Sequence, residues 1–368
     1  MKIVADNSIP FLRGIAEPVA QVSYLPSGEF TPRSIHDADA LIVRSIDKCT
    51  RELLEGSHVK LITTATIGFD HIDTQYCSEA GITWRNAPGC NAMSVAQYVL
   101  SSLLTLSIQR NEPLRGKTIG IVGVGHVGQA LEKLCEVMGM HVLRNDPPRA
   151  DKEGESGFVS LRTIAEEADI ITLHTPLTKS GPYATFHLAD ATFFGMMQRK
   201  PWFVNASRGA VHNTEALLQA LKSGQVSAAV IDCWEKEPRI DRELLSLTSI
   251  ATPHIAGFSA DGKANATRIC LRNIEKFFGI RIERLNEVVP PAPSHPVIDL
   301  SEVDSRRVEH AVFRSIRPLD IDQKLRNAPE RFEEIRAGYV YPREFAAYTI
   351  EHATAEEQII LGGLGFRV

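Results

Sequence analysis

Three short polar clusters carry the side chains best suited to chemistry: Asn205-Ala206-Ser207-Arg208-Gly209, Asp232-Cys233-Trp234-Glu235-Lys236-Glu237-Pro238 and Thr252-Pro253-His254-Ile255-Ala256-Gly257. Arginine, carboxylate and histidine together suit a proton-coupled hydride transfer. The Arg208 guanidinium can grip a substrate carboxylate through two hydrogen bonds and polarise a carbonyl. His254 can move a hydroxyl proton, and Glu237 can hold the ring and stabilise its imidazolium. Singly, each has a plainer reading: a surface ion pair for Arg208, a hydrogen-bonded loop ring for His254, a solvated turn for Glu237 before Pro238. Their shared position raises the odds. Each cluster follows a short apolar run, at Trp202 to Asn205, Ala228 to Ile231 and Ile250 to Ala251, and open α/β sheets bind their ligands at strand ends. The chemistry needs no metal, and the 12 histidines show no HExxH or other paired ligand spacing.

The elements that position these groups are organised around a glycine motif. Thr118 to Val122 reads as a buried parallel strand. It runs into Gly123-Val124-Gly125-His126-Val127-Gly128, and a helical pattern follows through Ala130, Leu131, Leu134, Val137 and Met138. A second strand-like run, Met140 to Leu143, ends near Asp146, 18 positions after Gly128. A dinucleotide-binding unit places there the acid that bonds a ribose 2′-hydroxyl. In this reading Gly123 permits the tight turn, Gly125 lets backbone N–H groups approach a pyrophosphate, and Gly128 lets helix and strand pack closely. The carboxylate of Asp146 favours NAD over NADP, although Arg144 and Arg149 stand close in sequence.

Alternation of strand and helix extends in both directions. Lys2 to Ala5, Ala40 to Arg44, Lys60 to Ala65 and Ile82 to Trp84 read as strands, with helical patterns around Thr50 to Gly56 and Asp73 to Ala80, the latter capped by His71 and Asp73. Residues 1–93 therefore read as a small α/β domain, rejoined by the amphipathic helix Lys263 to Phe278 within 258–280. A long apolar helix, Asn91 to Gln109, leads into a second doubly wound domain, 94–257, with further strands at Asp169 to Leu173 and at the three runs before the polar clusters, and helices at Leu161 to Ala168 and Thr214 to Ser223. Pro290-Pro291-Ala292-Pro293 with Pro296 reads as an extended linker. The segment beyond it carries Val312, Phe313, Ile316, Phe332, Tyr339, Tyr341, Phe345 and Tyr348, which need burial against the core or a second subunit.

At 43% hydrophobic, 23% charged and a net charge of −5, the chain of 368 residues has ordinary globular composition and no nucleic-acid footprint. Val95 to Ile108 is too short and serine-rich to span a bilayer, and the N-terminus lacks a signal peptide's apolar core. Six cysteines without CxxC or zinc-type spacing read as free thiols in a reducing cytoplasm.

Leu114-Arg115-Gly116-Lys117 running into the glycine motif, together with the three polar clusters, resembles the D-isomer-specific 2-hydroxyacid dehydrogenase family over roughly residues 1–280. Ala5-Asp6-Asn7-Ser8-Ile9-Pro10-Phe11, Arg44-Ser45, Ala65-Thr66-Ile67-Gly68-Phe69-Asp70 and the long C-terminal extension resemble one branch of that family, over the whole chain. The resemblance implies two Rossmann-like parallel-sheet domains plus a small α+β C-terminal dimerisation domain, 281–368. It implies a homodimer that oxidises the 2-hydroxyl of 4-phospho-D-erythronate with NAD, in pyridoxal 5′-phosphate synthesis. Arg208 would bind the substrate carboxylate, His254 would be the acid/base and Glu237 its partner. NAD contacts would come from His126 and Val127 in the glycine turn, Asp146, Thr175, Ala206, Ser207, Arg208, Asp232 and Gly257, with Ser45 and Thr66 on the substrate. Two departures stand out: Phe258 occupies a substrate position where the family usually has tyrosine, and Asn265-Ala266 replaces a pair that tends to end in glycine. Because Arg208 is assigned to the carboxylate, a far-end phosphate needs a second anion site, and Arg44, Ser45, Thr66 and Gly68 follow strands where they could form it. A glyoxylate or hydroxypyruvate reductase and a non-catalytic NAD-sensing protein are the alternatives.

Overall fold

A computed structural model describes residues 1–368 and divides them into two compact units, Met1–Asn91 with Ser259–Ala292, and Ala92–Phe258 with Pro293–Val368. In the first unit five short strands pair in parallel: β1 (Lys2–Asp6), β2 (Gln21–Leu25), β3 (Ala40–Val43), β4 (Leu61–Thr64) and β5 (Thr83–Arg85), in the order β2-β1-β3-β4-β5. β3 and β4 are buried at every position, as a strand covered on both faces must be. β2 lies at the sheet edge, partly exposed, with no apolar run to announce it.

The helix Ala260–Phe278 completes this unit. Ser259 caps it by accepting the N–H of Gly262, and Gly279 ends it in the left-handed region at φ 64°. Ala264, Cys270, Leu271 and Ile274 on its inner face join Ile3, Ala5, Ile42 and Leu61 in one core.

The second unit contains β6 (Thr118–Val122), β7 (His141–Asn145), β8 (Ile170–Leu173), β9 (Trp202–Asn205), β10 (Ala228–Ile231) and β11 (Ile250–Ala251), all parallel, in the order β11-β10-β9-β8-β6-β7. Strand order reverses between β6 and β8, so the crevice for a ligand opens at the carboxyl ends of those strands. The helix Ala92–Arg110 is buried around most of its circumference, which explains its lack of a polar stripe.

The C-terminal residues differ from expectation. Residues 281–292 belong with the first unit, and 293–368 pack into the second instead of forming a unit of their own. β12 (Val297–Asp299) pairs in parallel with β13 (Thr349–Glu351). Ile298, Leu300, Val312, Ile316, Phe345, Leu361 and Phe366 share a core with Tyr98, Leu103, Leu131 and Ile119. Polar contacts fix the seam: Asp322 accepts the edge N–H of Ala251 at 2.7 Å, and Ser101 donates to the carbonyl of Ile316 at 2.8 Å. Arg326 pairs with Asp322 and donates to the carbonyls of Leu245 and Thr248. Burial of Phe345 and Tyr348 in the core shared with the helix Ala92–Arg110, and of Phe332 in the second core of this unit, is the physical reason for the difference, whereas Tyr341 stays 38% exposed.

Candidate active site

The glycine turn follows β6. Gly123 has φ +90°, and a Cβ there would lie 2.8 Å from the carbonyl of His174; one on Gly128 would lie 2.3 Å from the carbonyl oxygen of Gly123. Only glycine satisfies both positions. Gly125 precedes the helix His126–Val137, and its missing Cβ would meet nothing within 4 Å, so the helix N-terminus is open to an anion. His126 is exposed there, while Val127 is half-buried against the core. Asp146, at the end of β7, accepts the N–H of Val124 at 2.8 Å and that of Arg149 at 3.2 Å, which ties the glycine turn to the next strand. Arg149 is engaged by Glu153 and the carbonyl of Val124, and Arg144 by Glu132 and the carbonyl of Gly157. Across the crevice, Thr175 keeps a buried hydroxyl without a partner. The open helix terminus, the acid at the strand end and this orphaned hydroxyl fit a dinucleotide.

The loop after β9 is organised by Asn205. Its Oδ1 accepts both the N–H and the hydroxyl of Ser207, and its Nδ2 donates to the carbonyl of Arg208 at 2.9 Å. Both donors of Ser207 are thereby engaged inside the protein, which leaves its hydroxyl oxygen as an acceptor beside Ala206, half-buried, and Arg208. The Arg208 Nη1 donates to the carbonyl of Ser207 at 2.8 Å, leaving Nε and Nη2 as a two-donor edge for a carboxylate. Gly209 locks this loop to the next: a Cβ would sit 1.9 Å from the Trp234 carbonyl oxygen.

After β10 and β11 the carboxylates divide their labour. Asp232, 1% exposed, accepts the Thr252 hydroxyl at 2.6 Å and the N–H groups of Ile255 and Ala256 at 2.8 and 3.0 Å, while its carbonyl receives the N–H of His254. Burial pushes its carboxyl up, and the nearby His254 and these donors pull it back. It therefore braces the loop that carries the histidine, with Oδ1 taking two of these donors and Oδ2 one. Glu237 accepts the N–H of Trp234 at 2.7 Å with one oxygen and meets His254 Nδ1 at 2.8 Å with the other. His254 holds φ +56°, a conformation costly for a side chain of this size, maintained by the Asp232 bonds and common where function constrains the backbone. Its Nε2 is the ring nitrogen left for a substrate.

Cys233 Sγ lies with ligand atoms of Glu237 and His254 in a group within 4.8 Å. Burial pushes its thiol well up and it donates to the Ser207 carbonyl, so it is not poised as a thiolate ligand. Tyr98 is a residue missed from the sequence: fully buried, it bonds the Thr252 hydroxyl at 2.6 Å and so supports Asp232 from behind. A phenol inside a long, mostly apolar helix that leads into the glycine motif was the available signal.

In the first unit Arg44 and Ser45 follow β3. Asp47 accepts the backbone N–H of Arg44 at 2.8 Å, and the Arg44 guanidinium enters no ion pair, so Asp47 holds the loop and does not neutralise the arginine. Asp47 is fully buried beside Asp6, and burial pushes its carboxyl up to about 6. Thr66 follows β4, but its hydroxyl donates to the Gly68 carbonyl and meets the Thr64 hydroxyl, both at 2.7 Å. That proton is spent, leaving the N–H groups of Ile67 and Gly68, which bond no acceptor within the chain, as donors of this turn. Asp73 caps the helix Thr74–Glu79 as expected; His71 instead turns inward to Thr64 at 3.0 Å.

Residues 102–256 match the profile of the D-isomer specific 2-hydroxyacid dehydrogenase, NAD binding domain. The chain is 52% identical over 367 residues to the erythronate-4-phosphate dehydrogenase of Porphyromonas gingivalis, covering all of both chains. It belongs to the D-isomer-specific 2-hydroxyacid dehydrogenase family. A second relative, the erythronate-4-phosphate dehydrogenase of Enterobacter sp., is 39% identical, with 100% of this chain and 98% of that one covered. Among solved structures, NAD⁺-bound 3-phosphoglycerate dehydrogenase of Entamoeba histolytica superposes with a TM-score of 0.63 at 27% identity, over 76% of this chain and 95% of that one. As in that D-isomer-specific family, the cofactor of this chain is NAD. No helix is long and apolar enough to cross a membrane.

Proposed function

We propose that this dehydrogenase oxidises 4-phospho-D-erythronate to 2-oxo-3-hydroxy-4-phosphobutanoate, a step of pyridoxal 5′-phosphate synthesis. The bond between His254 Nδ1 and Glu237 at 2.8 Å carries the catalytic reading, because it orients the ring and leaves Nε2 as a base. The full-length likeness to erythronate-4-phosphate dehydrogenases carries the choice of substrate. Arg208 grips the carboxylate through Nε and Nη2 and polarises the oxygen on C2. His254 Nε2 takes the hydroxyl proton as the C2–H bond breaks and the C2–O bond becomes double. Glu237 stabilises the resulting imidazolium. When bound, NAD supplies the hydride acceptor. Gly123, Gly125, His126, Val127 and Gly128, then Asp146, Thr175, Ala206, Ser207, Arg208, Asp232 and Gly257, are the groups that would hold it, and Asp232 and Ser207 also keep their loops in place.

Arg44, Ser45 and the N–H groups at Ile67 and Gly68 take the phosphate, and Phe258 offers an apolar wall to the substrate. The protein works in the cytoplasm as a homodimer, for which Val340 and Ile359 of the extension, 86% and 77% exposed, offer apolar contact. Incubation with NAD and 4-phospho-D-erythronate, with the product trapped as its hydrazone and weighed, tests the reaction. A hydrazone whose parent 2-oxo acid is two hydrogens lighter than the substrate is expected. Turnover confined to glyoxylate or hydroxypyruvate, or NADH binding without any turnover, would replace this reading by its rivals.

A further inference from the structure

The short helix Phe332–Ala337 and the residues after it lie against the catalytic loops of their own chain. Phe332 is fully buried, and the guanidinium carbon of Arg336 sits 5.7 Å from the centre of the Phe258 ring. The ring of Tyr341 also meets Phe258, in a T-shaped contact with 5.6 Å between centres and 90° between planes. Between them Tyr339 is half-buried, and its hydroxyl is pushed up by burial and by the charges of Asp232 and Asp320, which places this stretch beside the acid that braces the His254 loop. Downstream the backbone is pinned: Ser315 donates to the Arg343 carbonyl at 2.6 Å, and Gln97 accepts the N–H of Phe345 at 3.2 Å. The ion pair of Arg336 with Glu333 is long, at 3.8 Å, and its Glu333 side is 60% exposed, so it competes weakly with the ring for the cation.

We propose that Arg336 and Tyr341 are positioning residues for substrate binding, clamping the Phe258 ring by a cation over it and a T-shaped aromatic contact. The extension thereby forms part of its own chain's catalytic unit, in addition to any role between subunits. Phe258 directly follows Gly257 and lies four residues after His254, and its N–H closes a turn onto the Ile255 carbonyl at 2.8 Å. A ring free to swing would unsettle both its own wall and that turn. Phenylalanine has no hydroxyl to anchor it, so its orientation depends on its neighbours. Cation–π and edge-to-face contacts of this kind are each worth a few-fold to a few tens-fold in an equilibrium.

The proposal rests on the substrate reading above, and two measurements on the full-length protein separate them. Hydrogen exchange of the peptide spanning residues 252–260 needs no substrate: Arg336→Ala should speed it, with Arg336→Lys restoring most of the protection. In steady state, Arg336→Ala should raise the KM for 4-phospho-D-erythronate about 3- to 30-fold with a smaller change in kcat, while NADH affinity by fluorescence and the mass in solution stay at wild-type values. Tyr341→Phe should behave as wild type in exchange, and Tyr341→Ala as Arg336→Ala. Unchanged exchange at 252–260 in Arg336→Ala would overturn the clamp even if the enzyme turned over normally. A failure of Lys to rescue, or an equal loss in NADH affinity, would assign Arg336 to general folding. Absence of wild-type turnover with altered exchange would instead remove the substrate reading and leave the clamp standing.

Discussion

At the scale of single residues, the account turns on how the two carboxylates beside His254 divide. Asp232 spends its oxygens on the backbone of the histidine loop, and Glu237 alone reaches the ring. Glu237 favours the charged imidazolium by Coulomb attraction and hydrogen bonding. Glu237→Gln keeps a hydrogen-bond partner for Nδ1 but removes the charge that stabilises the imidazolium, so kcat should fall while KM changes little. Wild-type turnover in that variant would assign the proton relay elsewhere. His254→Ala should lose ~10²- to 10⁴-fold in rate, the usual span of general acid/base help. The other residue-scale test is Asp146. Its carboxylate can still accept a ribose 2′-hydroxyl but repels a 2′-phosphate, and both nearby arginines are already engaged. Initial rates with each cofactor should give a clear NAD preference; equal catalytic efficiencies would contradict it.

At the scale of elements, strand ends do the work, and this is where sequence reasoning reached furthest. The β6 strand, glycine turn and helix were legible because each glycine answers a steric demand, and the runs before the three polar clusters are β9, β10 and β11 with the expected bounds. Edge strand β2 was not, since a half-exposed strand of mixed residues has no pattern that a loop lacks. Nor could spacing show that Ser207 and Thr66 turn their hydroxyl protons inward, because a short side chain's partner depends on backbone geometry. Arg44, by contrast, stands at the end of β3 with its guanidinium unneutralised, as an anion site requires. Arg44→Ala should raise KM steeply for 4-phospho-D-erythronate and barely alter kinetics with D-erythronate. Equal losses with both compounds would place the phosphate on other basic residues.

At the scale of the whole molecule, the extension is bound into the catalytic unit by a common core and by Asp322, Arg326 and Ser101. Its aromatic content was plain in the sequence, but which surface buries it was not, since burial demand does not name a partner. Deleting residues 290–368 would uncover the helix Ala92–Arg110 and the edge of β11, so the product should be insoluble or a destabilised monomer. A truncated chain that sediments as a stable dimer with wild-type melting would contradict both the shared core and the dimer proposed through the extension. The measurement that tests the central claim most directly is the ratio of kcat/KM for 4-phospho-D-erythronate to that for D-erythronate, with NAD and the intact protein. Two charged-group contacts to a phosphate, at about 1.5–3 kcal/mol each, predict a preference of roughly 10²- to 10⁴-fold for the phosphorylated acid. A ratio near one, or a higher efficiency with glyoxylate or hydroxypyruvate in the reverse direction, would contradict it.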